Sequence, residues 1–287
     1  MNLKLSQPDN TLSFRNYKLD FSKKTHLMGI LNITPDSFSD GGLFFNKENA
    51  VKRGIEIEKE GASIIDIGGE STRPGSQPVS IDEELKRVIP VIKALAPQVN
   101  CPISIDTSKP GVAREAIMAG ASMINNIMGV DLNRDMAIAA ADFDVPIVLM
   151  HIKGKPRTMQ ENPVYEDLIG EIIHALKTSI KIAEECGVDS EKIIVDPGIG
   201  FGKTALHNIE ILKRLKEFKI LGKPILTGPS RKSFIGAILN IKTPSERLMG
   251  TAAAVAIAIA NGADIVRVHD VKEMAQVATL VNEVYRK

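Results

Sequence analysis

The chain has 287 residues with 44% hydrophobic content, and its 36 Lys plus Arg against 35 Asp plus Glu leave a net charge of +1. That is enough apolar material for one large core of about 250–270 residues, and the balanced charge offers no diffuse basic field for nucleic acid or anionic lipid. The opening MNLKLSQPDN lacks an apolar signal stretch and the longest apolar run, AAAVAIAIA at 252–260, is too short to span a bilayer, so a cytoplasmic protein with no membrane or nucleic-acid partner is expected.

Residues 1–26 read as an N-terminal extension. Within it TLSFRNYKLDFSKKT (11–25) alternates weakly around a polar Arg-Asn, which predicts a small hairpin covering the bottom of the fold that follows. From 27 to 287, short runs rich in Ile and Val recur at 27–33, 63–68, 101–106, 122–127, 145–150, 192–196, 223–227 and 264–269. They are continuous rather than alternating, as strands buried on both faces of a parallel sheet are. Segments of helical period lie between them, for example 48–60, 164–186 and 243–261, and several close on a Gly suited to a helix C-terminus, as in KEGAS, MAGAS, ECGVD and ANGAD. This repetition predicts an α/β fold of the (β/α)8 TIM-barrel type with a short N-terminal β-hairpin, as one domain over 27–287; an open doubly wound sheet is the alternative. Cys101 and Cys186 lie far apart and neither forms a Cys-x-x-Cys pair, so both are expected as buried thiols.

In such a barrel the reacting groups sit where strands end and the next loops begin. The strand ends deliver Asn32, Asp66, Asp106, Asn125, Met150 with His151, Asp196, the Ser230-Arg231-Lys232-Ser233 loop, and Arg267 with His269. A single Asp there serves as a helix cap, but eight polar strand ends in register point to a site. Asp66, Asp106, Asn125 and Asp196 make an acceptor-rich side suited to a flat ring with several N–H donors. Lys232, Arg267, His269 and Asn32 make a donor-rich side suited to phosphate or diphosphate.

Two glycine motifs fail on counting. DPGIGFGKT (196–204) ends like a Walker A loop but has Pro197 where that motif needs Gly, and its three glycines miss the dinucleotide spacing. The histidines do not form a metal cage, since only His151 and His269 stand at strand ends.

The motifs MGILNITPDSFSDGG (28–42), DIGGESTRPGS (66–76), ISIDT (103–107), INNI (124–127), LMHIKGKPRTMQ (149–160), DPGIGFGK (196–203), SRKSFIG (230–236) and RVHDV (267–271) together resemble the dihydropteroate synthases of folate biosynthesis, the sulfonamide targets. The resemblance implies a (β/α)8 barrel, commonly a homodimer, that joins 4-aminobenzoate to 7,8-dihydropterin-6-ylmethyl diphosphate with loss of diphosphate. It also implies roles. Asp106, Asn125, Met150, Asp196 and Lys232 would hold the pterin. Asn32, Thr72, Arg267 and His269 would hold the diphosphate, Asn32 together with a Mg2+ ion. Phe38, Thr72, Pro74, Phe201 and Ser233 would wall the aminobenzoate, and Asp36, Arg73, Lys232, Arg267 and His269 would act in the chemistry. The isolated Phe38 in the polar loop after the first strand would be a wall for a benzene ring, and the loops 34–42 and 69–75 are expected to complete that second site after the pterin diphosphate binds.

One position departs from the family pattern: Asn126 stands where an Asp is common, and strand alternation places it on the face away from the site. A neutral aromatic amine needs no strong base, so the burden is the leaving diphosphate, and a pocket with acceptors and donors suits a transition state with cation character on the pterin. A pterin-dependent methyltransferase would lack the STRPG, SFSDGG, SRKS and RVH elements, and a non-catalytic pterin-binding protein would be expected to have lost Arg267, Lys232 or a loop.

Overall fold

The computed structural model describes residues 10–34, 47–70, 79–127, 134–154 and 158–286. Strands β1 (Thr11–Phe14) and β2 (Tyr17–Asp20) form the antiparallel hairpin, turning at Arg15 with φ +48°. Eight parallel strands follow: β3 (His26–Asn32), β4 (Ile64–Gly68), β5 (Ile103–Asp106), β6 (Met123–Asn126), β7 (Ile147–Met150), β8 (Ile193–Asp196), β9 (Leu226–Thr227) and β10 (Ile265–Val268). Their order is β8-β7-β6-β5-β4-β3-β10-β9, and a parallel bridge between Val195 and Ile225 joins the two ends into a nearly closed barrel. The expected barrel is thereby present and the alternative of an open doubly wound sheet is excluded, because an open sheet would leave β8 and β9 as unpaired edges.

The helices α1 (Lys47–Lys59), α2 (Ile81–Leu95), α3 (Pro110–Ala119), α4 (Arg134–Asp142), α5 (Leu168–Glu185), α6 (Ala205–Lys213), α7 (Ser233–Leu239), α8 (Leu248–Ala260) and α9 (Val271–Tyr285) surround the strands. Local signals set their ends. Ser80 and Thr204 accept from the backbone N–H groups of Glu83 and His207, and Gly120, with φ +124°, closes α3. The expected helix at 243–261 starts later, at Leu248, because Pro244 opens a separate 3-10 turn over Pro244–Glu246.

Strand alternation divides the core. Outward residues such as Ile65, Ile67, Ile105, Leu149 and Val195 pack under the helices. Inward residues Met28, Ile64, Met123, Val148, Ile194, Leu226 and Ile265 fill the lower barrel and meet Leu12, Phe14, Leu19 and Phe21 from the hairpin and its exit. The hairpin thus packs against the apolar lower barrel layer, so the polar inward residues lie one and two layers higher, toward the strand C-termini. Among the described residues no helix is long and apolar enough to cross a membrane, and Cys101 and Cys186 are free thiols, half-buried rather than fully buried as expected.

Candidate active site

A cavity of about 510 Å3 opens at the C-terminal ends of the strands. Register explains who lines it. Asn32 pairs with Gly68, Gly68 with Asp106 and Asp106 with Asn125; Asn125 pairs in turn with Val148, so Met150 and its partner Asp196 face inward two residues further along their strands. Asn32, Asp106, Asn125, Met150, Asp196, Phe201, Lys232, Ser233, Arg267 and His269 all line the cavity. Asp36, Phe38, Thr72, Arg73 and Pro74, and most of the loops 34–42 and 69–75, lie outside the described residues. Asn126 follows the parity of the outward Ile124, on the side away from the cavity, and is buried.

The expected split into an acceptor side and a donor side is not what the barrel builds. Asp66 stands two residues short of the end of β4, fully buried beneath the rim. Its Oδ2 accepts from Arg267 Nε at 2.6 Å and from Asn125 Nδ2 at 3.0 Å, while Arg267 Nη2 donates to Asp106 Oδ2 at 2.6 Å. The reason is geometric: β10 pairs with β3, one strand from β4, so the long Arg267 side chain reaches across the barrel to both carboxylates. Arg267 therefore lies among the acceptors as a platform beside Asp106, and Asp66 organises the floor from below. Asp106 Oδ1 is buried with no hydrogen-bond partner among the described residues.

The second half of the wall is the turn after β8. Asp196 Oδ1 accepts from Gly198 N–H at 2.7 Å, which ties the turn to the strand end. The helix that follows is capped by Thr204 instead, so Asp196 is not a helix cap. The glycines of this turn allow close backbone approach. Gly198, with φ +72°, would place a Cβ 1.9 Å from the His151 carbonyl oxygen, and Gly202, with φ +63°, would place one 2.3 Å from that of Lys153. Phe201 is held in the wall with Lys232 Nζ 4.1 Å from its ring centroid. Behind them Lys203 Nζ lies 3.0 Å from His151 Nδ1 and donates to the Phe201 carbonyl at 2.9 Å. Burial together with nearby lysines holds His151 down at about 3 and Lys203 down at about 7, so the His151 ring is neutral at pH 7. His269 shares a contact with Ser230, its Nδ1 2.9 Å from Oγ, and its own N–H donates to that oxygen at 3.2 Å.

Burial dominates the electrostatics. It pushes Asp106 up to about 7, reinforced by the charge of Asp66 and opposed by Arg267. It pushes Asp196 up to about 6, opposed by the Gly198 N–H and by Lys232. It pulls Lys232 down to about 8, with Arg267 adding to the effect and Asp196 opposing it. Several groups on one cavity wall therefore titrate near neutrality, the pattern of a functional site. The wall also takes in Arg231 of the expected Ser230–Ser233 loop and, beyond the expected residues, Glu70 and Arg247. Glu70 accepts from Lys109 Nζ at 2.5 Å, and Lys109 also donates to the fully buried Glu84 at 2.5 Å. The signal for Glu70 was the charge in GGES; nothing in the local sequence marked Arg247, which reaches the cavity from the start of α8.

The sequence matches the pterin binding enzyme family over residues 28–269. It is 52% identical to the dihydropteroate synthase of Synechocystis over 267 residues, 93% of this chain and 92% of that one. The crystal structure of the Yersinia pestis dihydropteroate synthase with a sulfonamide drug complex is similar with a TM-score of 0.90 at 43% identity, covering 96% of this chain and 98% of that chain. The Xanthomonas albilineans dihydropteroate synthase in complex with 7,8-dihydropteroate is similar with a TM-score of 0.86 at 39% identity, over 96% and 98% of the two chains.

Proposed function

The chain belongs to the pterin-binding enzyme family as one of the dihydropteroate synthases, the transferases that join 7,8-dihydropterin-6-ylmethyl diphosphate to 4-aminobenzoate in folate biosynthesis, and from that premise we propose how its own residues divide the work. The observation that carries the division is the single cavity whose wall combines Asp106, Asn125 and Asp196 with Lys232, Arg267 and His269. An aminopyrimidine ring presents paired N–H donors, which suit Asp196 and the unpartnered Asp106 Oδ1. Asn125, with its amide committed to Asp66 through Nδ2, has its carbonyl oxygen to offer as an acceptor. Met150 packs against the ring.

The reaction forms a bond from the amine nitrogen to the pterin methylene carbon, breaks the carbon–oxygen bond to diphosphate, and gives up one amine proton. Negative charge grows on the departing oxygens, which His269 and Asn32 face from the ends of the adjacent strands β10 and β3. Cation character on the pterin is met by Asp106 and Asp196 when ionised, and Lys232 lies between that ring and the aminobenzoate wall of Phe201 and Ser233. Thr72, Arg73, Pro74, Asp36 and Phe38 are assigned here from the family pattern alone.

A magnesium ion would be held mainly by the diphosphate of the substrate. Among the described residues no three His, Cys, Asp or Glu side chains stand together as a cage, and Mg2+ characteristically binds substrate phosphates with few protein ligands. Asn32 would supply one oxygen to it; when bound, the ion neutralises charge developing on the leaving group.

A homodimer is supported by α7 and α8, where Ile238, Leu239, Met249 and Ile257 are exposed at 54%, 48%, 78% and 47%, apolar helix surface that a second copy would cover. Light scattering with Met249→Glu tests this, with a monomeric variant expected. A cytoplasmic setting agrees with the two free thiols.

The direct test of function is diphosphate release that requires both substrates. Release with the pterin diphosphate alone would indicate hydrolysis and overturn the synthase reading.

A further inference from the structure

Arg231 is the residue that the reaction leaves unexplained. It stands between Ser230 and Lys232 with φ +58°, in the left-handed region that a long side chain avoids. The other described non-Gly residues of this kind are Asn162, Asn240 and Asp144, types that tolerate the region, and Arg15 at the hairpin turn. Arg231 is held there through both backbone groups and its guanidinium. Its N–H donates to Thr251 Oγ1 at 3.0 Å, its carbonyl accepts from Arg247 Nη1 at 2.9 Å, and its Nε donates to Asp270 Oδ2 at 3.0 Å while Nη2 pairs with the other Asp270 oxygen. The clamp is itself built in. Arg247 and Thr251 are one turn apart on α8, with Thr251 N–H donating to the Arg247 carbonyl at 2.8 Å. Arg247 is further fixed by the carbonyls of Ile241 at 3.2 Å and Lys242 at 2.6 Å. Gly236 leaves the room, since a Cβ there would lie 2.5 Å from Arg247 Nε.

We propose that Thr251, Arg247 and Asp270 are positioning residues that lock Arg231 in its strained conformation and thereby turn Lys232 and Ser233 into the cavity. A relaxed Arg231 would rotate the backbone one residue before Lys232, and a change of that kind moves the far end of a lysine by several ångströms, well beyond what a binding site tolerates. None of the three clamp residues needs to touch substrate through the contacts described here. The groups that face Lys232 and set its proton affinity are Arg267 on β10, Asp196 on β8, Asp106 on β5 and Lys203 after β8. Burial among them holds Lys232 at about 8; a Lys232 released toward solvent would return upward toward its ordinary value.

The inference rests on Lys232 being a pterin ligand, and the experiment separates the two. Affinity for 7,8-dihydropterin-6-ylmethyl diphosphate is measured by calorimetry without aminobenzoate, across neutral to basic pH, for the wild type and for Thr251→Val, Thr251→Ser, Asp270→Asn and Lys232→Met. Thr251→Val keeps the buried shape and removes the acceptor; it is expected to bind roughly tenfold more weakly, with the basic limb of the affinity profile moved to higher pH. Thr251→Ser keeps the hydroxyl and should restore both. Asp270→Asn should weaken binding in the same direction, and it carries the test if Thr251→Val does not fold. Wild-type affinity and an unmoved limb in Thr251→Val, or in Asp270→Asn where it alone folds, overturn the inference while Lys232→Met still loses affinity. Unchanged affinity in Lys232→Met overturns the ligand role of Lys232 and the inference with it.

Discussion

Replacing Asp66 by Asn tests whether a carboxylate that never reaches the cavity organises its floor. Asp66 is fully buried, and its Oδ2 accepts from Arg267 Nε at 2.6 Å and Asn125 Nδ2 at 3.0 Å. An Asn that keeps its oxygen at that position turns the Arg267 bond from charge-assisted to neutral, a loss of about 1–2 kcal/mol. Its amide then falls where Oδ1 has no partner among the described residues, which costs about 1 kcal/mol more. Together these amount to a loss of about 2–3 kcal/mol, or a fall in melting temperature of roughly 4–6 °C at about 2 °C per kcal/mol for a chain of this size. The pH dependence gives a sharper signature. Burial, with help from the Asp66 charge, raises Asp106 from 3.8 to about 7. A carboxyl raised in the folded state contributes stability that is present at low pH and lost as pH rises through its folded value. Without the Asp66 charge, and with Arg267 turned wholly to Asp106, that value falls and less stability is lost on the way up. The deficit of the variant should therefore be largest near about pH 5 and shrink toward about pH 8. Thermal or urea unfolding at the two pH values measures it. A variant as stable as the wild type, or a deficit that does not change with pH, would refute the coupling of Asp66, Arg267 and Asp106.

Arg267→Lys keeps the charge but cannot bridge Asp66 and Asp106 with one planar fork, so turnover and pterin diphosphate affinity should both fall by roughly tenfold or more; wild-type kinetics would return Arg267 to a structural role. For a dihydropterin lacking the diphosphate, affinity should rise with pH as Asp196, held at about 6, ionises, and fall again above about 8 as Lys232 loses its proton. Asp196→Asn should remove the part of the acidic limb at about 6, leave the part that Asp106 supplies at about 7, and weaken binding roughly tenfold; calorimetry over this range would contradict the assignment if the limb is unchanged in the variant.

The fold was legible because its signals are local. Continuous Ile- and Val-rich runs, helical segments closed by Gly, and turn residues between them depend on near neighbours, and each expected strand is present, with ends that differ by up to three residues, the most at β9, where only Leu226–Thr227 of the run 223–227 is strand. The strand-end residues were legible for the same reason: period-two alternation turns Asp106, Asn125, Met150 and Asp196 to the inward face whatever the rest of the chain does. Partnerships were not. Arg267 and Asp66 are 201 positions apart, and Arg267 and Asp106 are 161 apart, so only barrel closure decides that a cation expected opposite the acceptors sits among them. Asp66 looks like a rim residue by its charge, although the run 63–68 continues two residues past it and so sets it a layer below the rim. The clamp on Arg231 was equally invisible, since Thr251 and Arg247 come from a helix that reads only as apolar and Asp270 from a turn 39 positions away. The sequence by itself determined which elements form and which side chains face inward, since those follow from backbone sterics and periodicity over a few residues. Only the tertiary structure decided which inward charges meet, how far burial shifts their protons, and which distant residues hold the strained backbone in place, because each of these depends on distances that the closed barrel alone sets.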